Sequence, residues 1–242
     1  MMTGKNFVGL RDTSACSKIN CKTETKECIS AMKKVFLLGD SIRKGYDKYV
    51  ELAFEGKALV YYPKDNCRFA AYTLRHLSLW KKETGCGDDV DVVHWNVGLW
   101  DILRMQDGEP LTEINVYRDY VDRICKILKM LFPNAALVFA TSTAVQEHLF
   151  DYYTRKNSDI REYNAVAVEV VKAHGGTITD LYALTESAPS EYYSDATHFN
   201  TKDGTKLITE RVIVRLEEVL GMKAEKLDYD RLFVEQKDII GI

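Results

Sequence analysis

The stretch Lys34-Val35-Phe36-Leu37-Leu38-Gly39-Asp40-Ser41-Ile42 decides how the rest of the chain is read. The apolar run Val35 to Leu38 has no polar alternation, as expected of a strand covered on both faces. Gly39-Asp40-Ser41 then breaks the run, and an amphipathic segment from about Lys44 to Phe54 follows. Strand, turn and helix in this order form the first half of a parallel βαβ unit.

Further along, the same alternation repeats. Short apolar or β-branched runs at Ala58–Tyr62, Val90–Trp95, Ala136–Thr141 and Thr177–Leu181 are each followed by an amphipathic stretch, near Phe69–Lys82, Val116–Phe132, Ile160–His174 and Thr205–Leu220. In the third of these helices Tyr117, Tyr120, Val121, Ile124, Leu128 and Leu131 recur at helical spacing and make one apolar face. Pro133-Asn134 ends that helix and Gly175-Gly176 ends the next. The pattern predicts an α/β fold, a three-layer α/β/α sandwich around a five-stranded parallel sheet. Residues 1–31 lack periodicity and read as a poorly ordered N-terminal extension, with Met32-Lys33-Lys34-Val35 resembling a second start. The domain is expected over 32–222, followed by a C-terminal appendage at 223–242.

Composition narrows the function classes. The chain has 242 residues, 33 basic against 36 acidic and a formal charge of -3, which leaves no electrostatic footprint for nucleic acid or an anionic membrane. Apolar runs such as Ala135 to Ala140 fall far short of the roughly 20 residues of a membrane span. No secretory pattern opens the sequence, so a cytoplasmic location with reduced cysteines is expected. Cys16, Cys21 and Cys28 match no common zinc spacing, Gly85-Cys86-Gly87 does not continue into a dinucleotide fingerprint, and no Walker loop is present. No metal and no cofactor are expected.

In such a sheet functional groups collect beyond the carboxyl ends of the strands. Ser41 sits at the first of these turns, where a hydroxyl and a helix N-terminus coincide. Taken alone, Asp40 or Ser41 reads as a helix cap. Between the last strand and last helix stands Asp195-Ala196-Thr197-His198, and a carboxylate at this spacing can hold one imidazole nitrogen while the other faces a serine hydroxyl. A nucleophile, a base and an orienting acid could therefore converge at one end of the sheet.

These residues resemble the blocks of the SGNH (GDSL-type) hydrolases, a family of esterases and lipases with a flavodoxin-like three-layer fold. Gly39-Asp40-Ser41 matches the first block, Asn66 to Thr73 the second, Gly98-Leu99-Trp100-Asp101 the third and Asp195 to His198 the last. The resemblance spans about residues 33–221 and takes in Arg155 to Asn164 and Asp180-Leu181. It implies catalysis by Ser41, His198 and Asp195, with an oxyanion hole from the backbone N–H groups of Ser41 and Ala71 and a side-chain donor. Substrate contacts are expected at Asp40 and Gly98 within the blocks and at Tyr46, which follows Ser41 on the same helix.

Two positions depart from the family pattern. Ala71 stands where a glycine is usual, and Trp100 where an asparagine supplies an amide; Asn66, Asn96 within Asn96-Val97-Gly98-Leu99, and the Trp100 indole are the candidate replacements. The expected partner is a small-molecule ester, with a short acyl group and a hydroxylated, carbohydrate-like alcohol. The balanced charge agrees with a neutral ester. A ligand-binding protein with lost catalysis is the alternative, and a phosphate or nucleotide binder at the Ser41 helix is a more distant one. Arg43 and Lys44 could reach a leaving group but on a first helical turn are more often solvated. His76, His94 and His174 read as packing or surface residues, His148 as a surface residue, and Cys67 as a small buried side chain.

Overall fold

The computed structural model describes residues 32–234. Expectations placed on residues 1–31, including Cys16, Cys21 and Cys28, and on 235–242 lie outside the described residues. Five strands form one sheet: β1 (Lys33–Leu38), β2 (Ala58–Tyr61), β3 (Val92–Trp95), β4 (Ala136–Ala140) and β5 (Thr177–Thr179). All pairings are parallel, and the spatial order is β2-β1-β3-β4-β5. The helices are α1 (Ser41–Ala53), α2 (Ala70–Thr84), α3 (Ile114–Leu131), α4 (Asn157–Ala173), α5 (Leu181–Thr185), α6 (Lys202–Leu220) and α7 (Tyr229–Leu232). Contacts of α2 with α3 and of α3 with α4 make one helical layer, and α1 with α6 makes the other. This is the expected three-layer arrangement. Among the described residues no helix is long and apolar enough to cross a membrane.

The covering of both faces explains the apolar run that opens the fold. Val35, Phe36, Leu37 and Leu38 are all buried, and Val93 and Trp95 are fully buried beside them on β3. At this joint the chain steps from β1 to β2 on one side and then returns to β3 on the other. Such a reversal opens a crevice at the carboxyl ends of the two diverging strands. Ser41 follows β1 and Gly98 follows β3, so both lie at that crevice.

Several element ends differ from the sequence expectation for identifiable reasons. Helix α1 starts at Ser41, three residues early, because Asp40 caps it by accepting the Ile42 N–H at 3.0 Å. β5 stops at Thr179, and Asp180 caps the short α5 by accepting the Ala183 N–H. Helix α6 begins at Lys202, with Thr201 Oγ1 accepting the Gly204 N–H at 3.1 Å. Beyond α6, the Glu225 N–H donates to the Ala53 carbonyl and Tyr229 packs on Tyr49, so the described part of the C-terminal segment lies against α1.

Candidate active site

Strand β1 ends at Leu38, and the next three residues are held from several sides. Gly39 N–H donates to Cys67 Sγ at 3.3 Å, and Gly39 O accepts the Cys67 N–H at 3.0 Å. A Cβ on Gly39 would lie 1.9 Å from Asn96 Oδ1 and 2.7 Å from Arg43 Cβ, so only glycine fits between β3 and α1 here. Ser41 is thereby placed at the first position of α1, with its side chain aimed out of the turn.

From the opposite end of the chain, the loop before α6 brings in the second group. His198 Nε2 lies 2.7 Å from Ser41 Oγ, and His198 Nδ1 lies 2.7 Å from Asp195 Oδ2. Asp195 also accepts the backbone N–H of Thr197 at 2.7 Å and of His198 at 2.8 Å through Oδ1. Burial pushes the Asp195 carboxyl up, but the His198 hydrogen bond and charge and the two backbone donors outweigh it and hold the group at about 2. Asp195 is therefore ionised at neutral pH and fixes Nδ1 as the protonated ring nitrogen, leaving Nε2 as the acceptor toward Ser41. Ser41 and His198 are only 5% and 7% exposed, so the contact is shielded from bulk water. The structure joins Ser41, His198 and Asp195 in one hydrogen-bonded chain.

The second and third blocks are tied together by a carboxylate. Asp101 accepts the Ala70 N–H with both oxygens, at 3.0 and 3.1 Å, and so supplies the cap that Phe69 lacks at the start of α2. Burial raises this carboxyl to about 7, against the hydrogen bonds of Thr112 and Ala70. Ala71 is the next residue of α2, in the first turn, where helix geometry provides no acceptor for its N–H. Gly98 has φ +134° and faces Ser142 Oγ, which a Cβ would approach to 2.6 Å. Asn66 Oδ1 accepts the Arg68 N–H at 2.9 Å, and its buried Nδ2 has no partner among the described residues. Asn96 lies against Gly39, and its amide helps hold the Asp40 carboxyl down. Trp100 is partly exposed on the third-block loop.

Two residues expected at the substrate do not face it. Tyr46 is fully packed between α1 and the sheet, its hydroxyl 3.4 Å from His94 Nδ1, because its position on α1 points inward. Asp40 is fully buried and serves as the helix cap, with Oδ2 unpartnered. Burial raises its carboxyl, against the opposing influence of Asn96, the Ile42 N–H, His198 and Arg155. Arg43 is fully buried rather than solvated: its guanidinium pairs with Asp47 at 2.5 Å and donates to the carbonyls of Gly39, Pro63 and Asp65. No sequence periodicity announces that role, since three of its four acceptors are carbonyls. Asp101, named only as part of a block, proves to be the tie between two loops.

The loop after β4 completes the surroundings. Gln146 N–H donates to Ala196 O at 2.8 Å, which docks this loop on the segment carrying Asp195 and His198. Arg155 Nε donates to Leu99 O in the third block at 2.5 Å. His148 is exposed, while His94 is buried with Nε2 3.1 Å from Thr179 Oγ1. A separate cavity of about 790 Å³ lies beside edge strand β2, lined by Tyr61, Tyr62, Tyr72, His76 and Trp80 among others, and holds no member of the Ser41 chain.

No family model matches the sequence, and no curated protein matches it. Solved structures do. A lipase/acylhydrolase from Enterococcus faecalis superposes with a TM-score of 0.61 at 20% identity, covering 81% of this chain and 100% of that one. An acetyl xylan esterase gives 0.58 at 16% identity, covering 76% and 99%. A GDSL-like lipase from Bacteroides thetaiotaomicron gives 0.57 at 13% identity, covering 82% and 98%. The chain has the fold of the SGNH (GDSL-type) hydrolases.

Proposed function

We propose that the protein is a serine esterase that removes a short acyl group, such as acetyl, from a hydroxylated alcohol through an acyl-enzyme. The observation that carries this reading is the Ser41–His198–Asp195 chain, with both links at 2.7 Å. His198 Nε2 takes the Ser41 proton as Oγ attacks the ester carbonyl, and Asp195 stabilises the imidazolium that forms. The oxyanion lies at the N-terminus of α1, where the Ser41 N–H is an orphan donor, joined by the Ala71 N–H and a side-chain donor from Asn66, Asn96 or Trp100. Protonated His198 then gives its proton to the leaving alcohol. Water attacks the acyl-enzyme along the same proton path, the acid departs and Ser41 regains its hydrogen.

A short acyl group suits loops that supply Trp100, Tyr152, Tyr153, Arg155 and Asn200 instead of a long apolar channel. The acetyl xylan esterase among the structural neighbours acts, by its name, on an ester of this kind. Trp100 in place of the third-block asparagine favours one second reading, a ligand-binding protein on the same fold that has lost catalysis. Two measurements separate them: labelling by a fluorophosphonate and hydrolysis of an ester series from acetyl to decanoyl, each on wild type and Ser41→Ala. The esterase reading expects labelling and turnover that vanish in the variant, with rates falling as the acyl chain lengthens. No labelling and no turnover of any ester would leave the binding protein.

A further inference from the structure

Two arginines, one fully buried and one part-buried, pair with a carboxylate. Arg43 pairs with Asp47, and Arg104 makes a two-pronged contact with Asp159 at 2.8 and 3.0 Å. Arg155 is the contrast. It is part-buried, its Nε is spent on Leu99 O, its guanidinium lies 5.8 Å from the Phe150 ring, and no carboxylate among the described residues forms an ion pair with it. Neither terminal NH2 group has an acceptor among the described residues. A cation in this state retains hydrogen-bonding capacity for an anion from outside.

Its place beside the reacting groups is fixed from three directions. Leu99 O, its acceptor, belongs to the third block; the neighbouring Thr154 O accepts the Arg104 N–H at 2.9 Å; and the loop that leads to it rests on Ala196, between Asp195 and His198. Arg155 is close enough to Asp40 and Asp195 for its charge to couple to both, while burial pulls its own pKa down to about 10. Arg68, at the second block, is a further part-buried arginine with an unpartnered Nε, stacked 4.9 Å from the Tyr72 ring. The carboxyl end of the sheet thus carries two arginines without ion-pair partners among the described residues, although the chain as a whole is slightly acidic. The leaving alcohol of an ester at Ser41 must lie next to His198, which protonates it, and Arg155, held on Leu99 O and coupled by charge to Asp195, stands at the same end of the sheet.

We propose that Arg155 selects esters whose alcohol portion carries an anionic group, a carboxylate, phosphate or sulfate, near the scissile bond. This rests on the esterase reading and replaces the neutral substrate suggested by overall charge. The guanidinium offers two donors in a plane, the geometry that matches a carboxylate or phosphate edge.

The test compares kcat/KM for 4-acetoxybenzoate and its uncharged methyl ester, each corrected for its hydroxide rate, in wild type, Arg155→Gln and Arg155→Lys. A preference for the anion of about 10-fold or more is expected in wild type, the scale of a hydrogen bond to a charged group, and it should reside in KM. It should fall to near unity in Arg155→Gln, persist in part in Arg155→Lys, and weaken in wild type as ionic strength rises. Hydrolysis of both esters with no wild-type preference, or a preference untouched by Arg155→Gln, overturns this inference and leaves the esterase reading standing. If Arg155→Gln does not fold, the wild-type salt dependence and Arg155→Lys decide. Absence of both ester turnover and Ser41 labelling overturns the two together.

Discussion

Replacing Asp195 by asparagine isolates the orientation of the imidazole from the packing of its loop. Asp195 Oδ1 accepts two backbone N–H groups, from Thr197 at 2.7 Å and His198 at 2.8 Å, while Oδ2 faces His198 Nδ1 at 2.7 Å. An asparagine keeps the backbone bonds only by placing its carbonyl oxygen at the Oδ1 site. Its NH2 then takes the Oδ2 site 2.7 Å from Nδ1, nearer than the carbonyl oxygen at the Oδ1 site 2.9 Å away, which favours Nδ1 as acceptor and moves the ring proton to Nε2. Nε2 would donate to Ser41 Oγ at the 2.7 Å contact where it should accept. The same exchange in a Ser-His-Asp protease lowers kcat about 10⁴-fold, or roughly 5 kcal/mol of barrier. We expect Asp195→Asn to lose a comparable factor in acetyl ester turnover and in fluorophosphonate labelling. Its melting temperature should stay within a few degrees of wild type, because the backbone bonds survive and the group is partly solvated. Asp195→Ala, which strands both N–H groups, should lose the same activity and also about 1–3 kcal/mol of stability. Turnover in Asp195→Asn within tenfold of wild type would refute the assignment of Asp195 as the group that sets the tautomer.

Two further predictions concern the frame around this chain. Asp101, raised by burial to about 7, binds a proton in the folded state over a range where an unfolded carboxyl has already lost it, so it makes stability fall as pH rises from about 4 to about 7. Asp101→Asn removes that dependence; thermal melts at pH 4, 6 and 8 should show the wild type losing ground to the variant with rising pH, and a constant gap would mean the carboxyl is ionised throughout. Gly39→Ala would set a Cβ 1.9 Å from Asn96 Oδ1, an overpacking that costs about 1–3 kcal/mol, which lowers the melting temperature by roughly 3–10 °C. Labelling of Ser41 should be lost with it, and adding Asn96→Gly should restore part of the stability; an alanine variant that melts and labels like wild type would show that β1 and β3 can separate freely.

Legibility in the sequence followed the range of the interactions. The run Val35 to Leu38 and the helical spacing along α3 are local patterns set by burial, and the sheet with its covering helices follows from them. Asp195 and His198 are also local, three residues apart, so their pairing could be anticipated. The burial of Arg43 is hidden because, besides Asp47, its acceptors are the carbonyls of Gly39, Pro63 and Asp65, which every sequence has and no pattern marks. Nearness to Ser41 in sequence suggests Tyr46 at the substrate, yet helical geometry turns it toward His94 and the core. The early start of α1 is hidden for a related reason: Asp40 can act as cap or as functional acid, and only the Ile42 N–H bond distinguishes them.

The departures in the second and third blocks are easier to accommodate once the loops are seen to be held by other means. The Gly39–Cys67 pair of hydrogen bonds clasps the first loop to the second, and Arg43 reaches from α1 to the same segment at Pro63 and Asp65. Asp101 fastens the third loop to the start of α2, and Arg155 and Gln146 carry the loop after β4 to Leu99 and Ala196. Each tie ends on a backbone group, so the position of a loop depends little on which side chain occupies a neighbouring site. Alanine at 71 can then keep its N–H in the first turn of α2 as a glycine would, provided Asp101 continues to cap the preceding residue. Tryptophan at position 100 is a different matter, because it lacks the amide of the family pattern and so concerns a donor and not a fastening. A new donor can arise at any residue already held near Ser41, and Asn66, beside Cys67 in the clasp and with an Nδ2 that has no partner among the described residues, meets that condition.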